Sequence, residues 1–154
     1  MKIFFVALLL LVGANVFAQT DSIVKFQNPT GVPTPKGYSE CAAVDLGNCT
    51  MLIISGQVAL DKNGNLVGKD DLAKQAEQVF TNINTIVQSA GGSMKQVVKL
   101  NYFLLDASKV QLVRDVRDKF INIQNPPAST LVQVSKLFRD DILIEIEATA
   151  IIPK

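Results

Sequence analysis

Apolar and polar positions along the chain follow two periods, and the changes between them mark out the elements. Residues 39–46 and 49–56 are rich in Val, Ile, Leu and Ala around Gly47-Asn48, the pattern of a β-hairpin. A second turn follows at Asp61-Lys62-Asn63-Gly64-Asn65, in which Asn63-Gly64 suits the left-handed backbone that such turns need. Leu72, Ala76, Val79, Phe80, Ile83, Ile86, Val87 and Ala90 then recur at helical spacing, with Asp70 or Asp71 able to cap the start and Gly91-Gly92 ending the run. From Gln96 to Leu105 the period returns to two: Val98, Leu100, Tyr102 and Leu104 point one way, and Val97, Lys99, Asn101 and Phe103 the other. Ser108-Lys109-Val110-Gln111 reads as a capping box, opening a second helix whose stripe is Val110, Val113, Val116, Phe120 and Ile121. Asn125-Pro126-Pro127 stops it, and two further strands are predicted over 129–137 and 142–152. The order β-β-α-β-α-β-β predicts an α+β sandwich with both helices on one face of a mixed sheet.

The N-terminus stands outside this pattern. Met1-Lys2 precedes the apolar run Ile3 to Val12, and Val16 and Ala18 are the small residues a signal peptidase accepts, so residues 1–18 read as a signal peptide cut before Gln19. The run is shorter than the roughly 20 residues needed to span a bilayer, and no membrane anchor is expected elsewhere. A secreted or periplasmic location follows, with residues 19–154 forming a single domain. Lys2 leaves with the signal, and the remaining chain balances 14 basic against 14 acidic residues with no basic run, which argues against nucleic acid as a partner. With no histidine and no clustered cysteine, a metal site is not expected. If Gly47-Asn48 are the central hairpin residues, Cys49 lies opposite Leu46 and Cys41 opposite Ile54, too far apart along the ladder for a disulfide; both read as small buried residues. The Pro-rich stretch Gln27 to Lys36 is an extended loop ahead of the first long strand.

The last strand carries the first chemical oddity. Glu145 and Glu147 share a face with Leu143 and Thr149, while Ile142, Ile144, Ile146 and Ala148 fill the opposite face. The pair is either a solvated sheet face or a source of acid–base chemistry where a cleft brings a substrate to it.

Six segments in order resemble the Rid (reactive intermediate deaminase, YjgF) family: Gly37-Tyr38-Ser39, Ser55-Gly56-Gln57, the Gln75-to-Gly92 helix, Val97-Val98-Lys99, Pro127-Ala128-Ser129-Thr130 and Ile144-Glu145-Ile146-Glu147-Ala148. The resemblance implies a chorismate-mutase-like, YjgF-like α+β fold assembled as a homotrimer, with small-molecule clefts between subunits. It further implies hydrolysis of 2-imino or 2-enamino acids without a cofactor. Glu145 matches the glutamate that positions the attacking water, and the backbone amides of Thr130 and Leu131 would polarise the substrate. Tyr38 would close the cleft from the adjoining chain, above a floor of Ser55 and Gly56.

The departure lies at Ser129, where the family's pattern has an arginine that grips the substrate carboxylate with two parallel hydrogen bonds. A serine brings no charge, so an altered substrate scope is expected, or else a binding protein without turnover. Arg114, at a helix position near the cleft, either supplies the cation from another direction or pairs at the surface with Asp118 one turn on.

Overall fold

The computed structural model describes residues 22–154, so the signal peptide expected over 1–18 lies outside the described residues. The strands are β1 (Val24–Gln27), β2 (Cys41–Asp45), β3 (Cys49–Val58), β4 (Val97–Leu104), β5 (Ala128–Gln133) and β6 (Ile144–Pro153). The helices are α1 (Leu72–Ser89) and α2 (Val110–Arg117), the latter entered through a 3-10 turn, Ala107–Lys109. One six-stranded sheet has the order β1-β2-β3-β6-β4-β5. Every pairing is antiparallel except β4 with β5, which makes the sheet mixed.

That topology explains why both helices share a face. β3 and β4 both run antiparallel to β6, hence parallel to each other, and α1 is the crossover between them; α2 is the crossover from β4 to its parallel neighbour β5. Parallel crossovers have one preferred hand, so successive helices land on the same side. α1 packs on α2, β3 and β6. Val79, Phe80, Ile83 and Ile86 of α1 meet Leu52, Ile54, Leu100, Ile144 and Ile146 of the sheet, all buried, and Phe80 stacks on Phe120 with ring centroids 5.4 Å apart.

Two features of this frame place β6. Gln75, buried in α1, accepts from the Leu143 N–H (2.8 Å) and donates to the carbonyls of Asp141 (2.8 Å) and Gly68 (3.2 Å), which fixes where the last strand begins. On β3, Ile54 pairs with Ala148 and Gln57 with Ile146, so Ser55 and Gly56 together stand opposite Glu147 alone. That is a β-bulge, and it turns the end of β3 relative to Glu145.

The expected hairpin register is present, with Cys41 opposite Ile54 and the Leu46 N–H donating to Cys49. Both cysteines are free; Cys41 is buried as expected, but Cys49 is half-buried, being the first residue of β3 beside the exposed turn 46–48. Glu145, Glu147 and Thr149 share the face away from the helices, as the alternation predicts.

Four details differ from the sequence reading. Val97 is 5% exposed and Val98 44%, because a register shift between Val97 and Lys99 makes Val98 the extra residue of a second bulge. The second helix has no side-chain cap of its own: it follows Lys109, the end of a 3-10 turn capped by Asp106, whose carboxylate accepts from the Ser108 N–H at 3.0 Å, while Ser108 lies inside that turn. The fifth strand ends at Gln133. β1, a four-residue edge strand, is too short to show a period in the sequence.

Candidate functional site

The β3 bulge opens onto a cavity of about 460 Å³ whose lining includes Tyr38, Glu40, Ser55, Gly56, Gln57 and Glu145, with Phe138 at its edge. A Cβ at Gly56 would overlap the Glu145 carboxylate, so the carboxylate lies directly over the glycine backbone and would have to move aside for any larger residue. Glu145 is half-buried, and burial together with the neighbouring negative charge of Glu147 raises its pKa above the ordinary carboxylate value. Glu147 itself accepts from Asn101 Nδ2 at 3.2 Å.

The opposite wall is built by the segment entering β2. Ser55 Oγ donates to the Ser39 carbonyl (2.7 Å) and the Ser55 N–H to the Glu40 carbonyl (3.0 Å), which ties Tyr38-Ser39-Glu40 to the bulge. Tyr38, expected to reach a cleft from an adjoining chain, thus lines the cavity that holds Glu145 of its own chain. Its phenol is held above its usual pKa by burial, then by the charges of Glu40 and Glu145.

Glu40 itself was not singled out by the sequence. It is 2% exposed, and Gln57 Nε2 donates to one of its oxygens at 2.7 Å. Burial raises its pKa, and the Gln57 hydrogen bond acts in the opposite direction. The available signal was a lone acidic residue beside an otherwise apolar strand. Gln57, Asn82 and Phe138 were also missed, because distant parts of the chain bring them to the cavity.

Ser129 and Arg114 lie elsewhere. They line a smaller pocket of about 200 Å³ with Leu131, Tyr102, Arg117, Val110 and Val113, and the two pockets share no residue. Ser129 Oγ donates to the Pro127 carbonyl at 3.1 Å. Asp118 pairs with Arg117 (2.7 Å) and not with Arg114, which has no carboxylate partner among the described residues. The Tyr102 hydroxyl, in a residue 4% exposed, makes no hydrogen bond; burial pushes its pKa up to about 12, against the opposing influence of Arg117 and Ser129. Thr130 points to the other face of the sheet, where its hydroxyl lies 2.6 Å from Lys99 Nζ. The structure therefore gathers Tyr38, Ser55, Gly56 and Glu145 into one cavity and Arg114, Ser129 and Leu131 into another, with Thr130 in neither.

Among the described residues no group of side chains is arranged to hold a metal ion, and no helix is long and apolar enough to cross a membrane. The first cavity can hold and activate a water or bind a nitrogen cation. The second can bind an anion.

Residues 32–152 match the family model described as Endoribonuclease L-PSP. A RutC family protein of Pyrococcus horikoshii is 36% identical over 119 residues, covering 77% of this chain and 90% of its own length. A 2-iminobutanoate/2-iminopropanoate deaminase of Dermatophagoides farinae is 34% identical over 122 residues, covering 78% of this chain and 90% of its own. The crystal structure of the YjgF gene product of E. coli superimposes with a TM-score of 0.70 at 33% identity, covering 82% of this chain and 98% of that one.

Proposed function

The chain belongs to the Rid (YjgF, endoribonuclease L-PSP) family, and from that membership we propose that it hydrolyses reactive imine or enamine metabolites with a substrate scope altered at Ser129. Glu145 positions a water over Gly56 and takes its proton as the oxygen attacks the imine carbon. Glu145 then returns that proton to the nitrogen of the carbinolamine, the C–N bond breaks as the hydroxyl gives up its proton, and ammonia and a carbonyl compound are released. The observation that carries this reading is the Glu145 carboxylate itself: half-buried, above a glycine that makes room for it, and raised in pKa toward the range where a base works near neutral pH.

The active assembly is a homotrimer with its clefts between subunits. Within one chain the Glu145 cavity and the Ser129–Arg114 pocket are separate, and assembly supplies the means of presenting one to a neighbour's other. Arg114, without a carboxylate partner among the described residues, offers there the positive charge that Ser129 does not. Residues 1–18 direct export, which the mass of the mature protein tests: a chain starting at Gln19 is expected, and an intact Met1 would refute it.

The second reading is a small-metabolite-binding protein without turnover. It is favoured by the absence of any lysine or arginine from the residues lining the Glu145 cavity. Ammonia release separates the two, with imino acids generated in situ by an amino-acid oxidase and wild type compared with Ser129→Arg and Glu145→Gln. Turnover lost in Glu145→Gln supports the hydrolase. An inert wild type that gains activity in Ser129→Arg supports an intact scaffold whose own ligand is different.

A further inference from the structure

Glu40 has no part in the proposed chemistry, yet it is the most deeply buried carboxylate of the described residues and it faces the cavity. Its surroundings do not balance a negative charge. One oxygen accepts from the neutral amide of Gln57, the other accepts no hydrogen bond from any described residue and is reached only through the cavity, which no lysine or arginine lines. A carboxylate with so little access to water is costly to keep charged unless a cation meets it. Glu145 adds a second carboxyl group to the same space. The rings of Tyr38 and Phe138, 55% and 65% exposed, stand at the cavity edge, and aromatic faces attract cations.

We infer that the cavity binds an organic nitrogen cation, a protonated amine or iminium, and that Glu40 is the residue that receives its charge. The inference deepens the proposed function by naming the charge of the group bound beside Glu145, and rests on that reading for the choice of nitrogen. Gln57 is the positioning residue: its amide holds one Glu40 oxygen and the Ser55 carbonyl (3.1 Å), leaving the other oxygen directed at the ligand.

The geometry fixes the expected pH dependence. The titratable groups around Glu40 are Tyr38 and Cys41 beside it in the chain and Glu145 across the cavity; the other lining residues are neutral. Protons compete with the ligand for Glu40, so cation binding weakens as pH falls through the Glu40 titration. Burial places that titration above the usual carboxylate range.

The test is equilibrium binding of n-butylammonium to the purified protein by calorimetry, against 1-butanol and butyrate as neutral and anionic counterparts. Butylammonium is expected to bind in preference to both, and Glu40→Gln to weaken it about tenfold, the worth of one charge-assisted hydrogen bond. Equal affinity for butylammonium and 1-butanol, or unchanged affinity in Glu40→Gln, overturns the inference. If Glu40→Gln does not fold, Gln57→Leu carries the test: loss of the amide that favours the carboxylate moves the pH midpoint of butylammonium binding upward, and an unmoved midpoint overturns the inference. Selective butylammonium binding by a protein that releases no ammonia from any imine refutes the hydrolase reading and leaves this one standing.

Discussion

Gly56 and Glu145 act as a unit, because the carboxylate occupies the space that a Cβ on the β3 bulge would take. Gly56→Ala is expected to displace the carboxylate and to reduce turnover by at least ~10-fold, while Glu145→Gln, which removes the proposed base, is expected to cost about 10²–10⁴-fold. The effects do not add: once Glu145 is Gln, the alanine has no catalytic carboxylate left to misplace. Kinetics of the double variant check this, and additive losses would show that Gly56 acts through something else. Glu40 makes a prediction of another kind. Its carboxyl pKa is raised in the folded protein, so between the unfolded value, about 4.3, and the folded one the native state binds more protons than the unfolded state. The associated stability is present below the unfolded pKa and lost as pH rises through the folded pKa. Glu40→Gln removes that loss. Thermal melts of the variant should lie above wild type at pH 7, with the difference gone near pH ~4; a difference independent of pH would mean that the carboxyl is not perturbed by burial.

At the level of elements, the entrance to α2 shows how a local reading and the folded chain diverge. Asp106 and Ser108 both have the side chains of a cap, but Asp106 is the one whose carboxylate accepts a backbone N–H, while the Ser108 hydroxyl is spent on Asp106 itself. Asp106→Ala should therefore destabilise the protein and Ser108→Ala do so by clearly less, as denaturant melts would show. The reverse order would restore the capping box predicted from the sequence. The strand pattern was legible wherever one face is buried: the Glu145-Glu147 alternation and the hairpin register around Gly47-Asn48 follow from a period of two and a turn. It failed at Val97-Val98, where a bulge exposes one of two identical residues and nothing local distinguishes them. The site was half legible for the same reason. Glu145, Ser55 and Gly56 sit in segments with a recognisable order, whereas the burial of Glu40 depends on Gln57, 17 positions away, and on a loop bringing Phe138 to the same cavity.

The whole molecule leaves one large surface unexplained by a single chain. Helices cover one side of the sheet, and on the other Ile53, near the middle of β3, is 49% exposed, with Phe26 at one edge and Val132 at the other also exposed. Apolar side chains exposed across a sheet face in this way call for a partner surface, and a homotrimer supplies it from identical copies. Symmetry makes the arrangement sensitive to a single substitution, since each trimer carries the change three times. Ile53→Lys places three ammonium groups on the proposed interface, where each must lose hydration for the copies to assemble. On the monomer the same lysine stays in solvent and leaves the Ile54 side of the strand packed as before. Light scattering after size-exclusion chromatography should thus find wild type at three times the chain mass and Ile53→Lys as a folded monomer. A trimeric Ile53→Lys would move the interface off this face, and a monomeric wild type would remove the inter-subunit cleft, leaving the Glu145 cavity to bind its ligand within one chain.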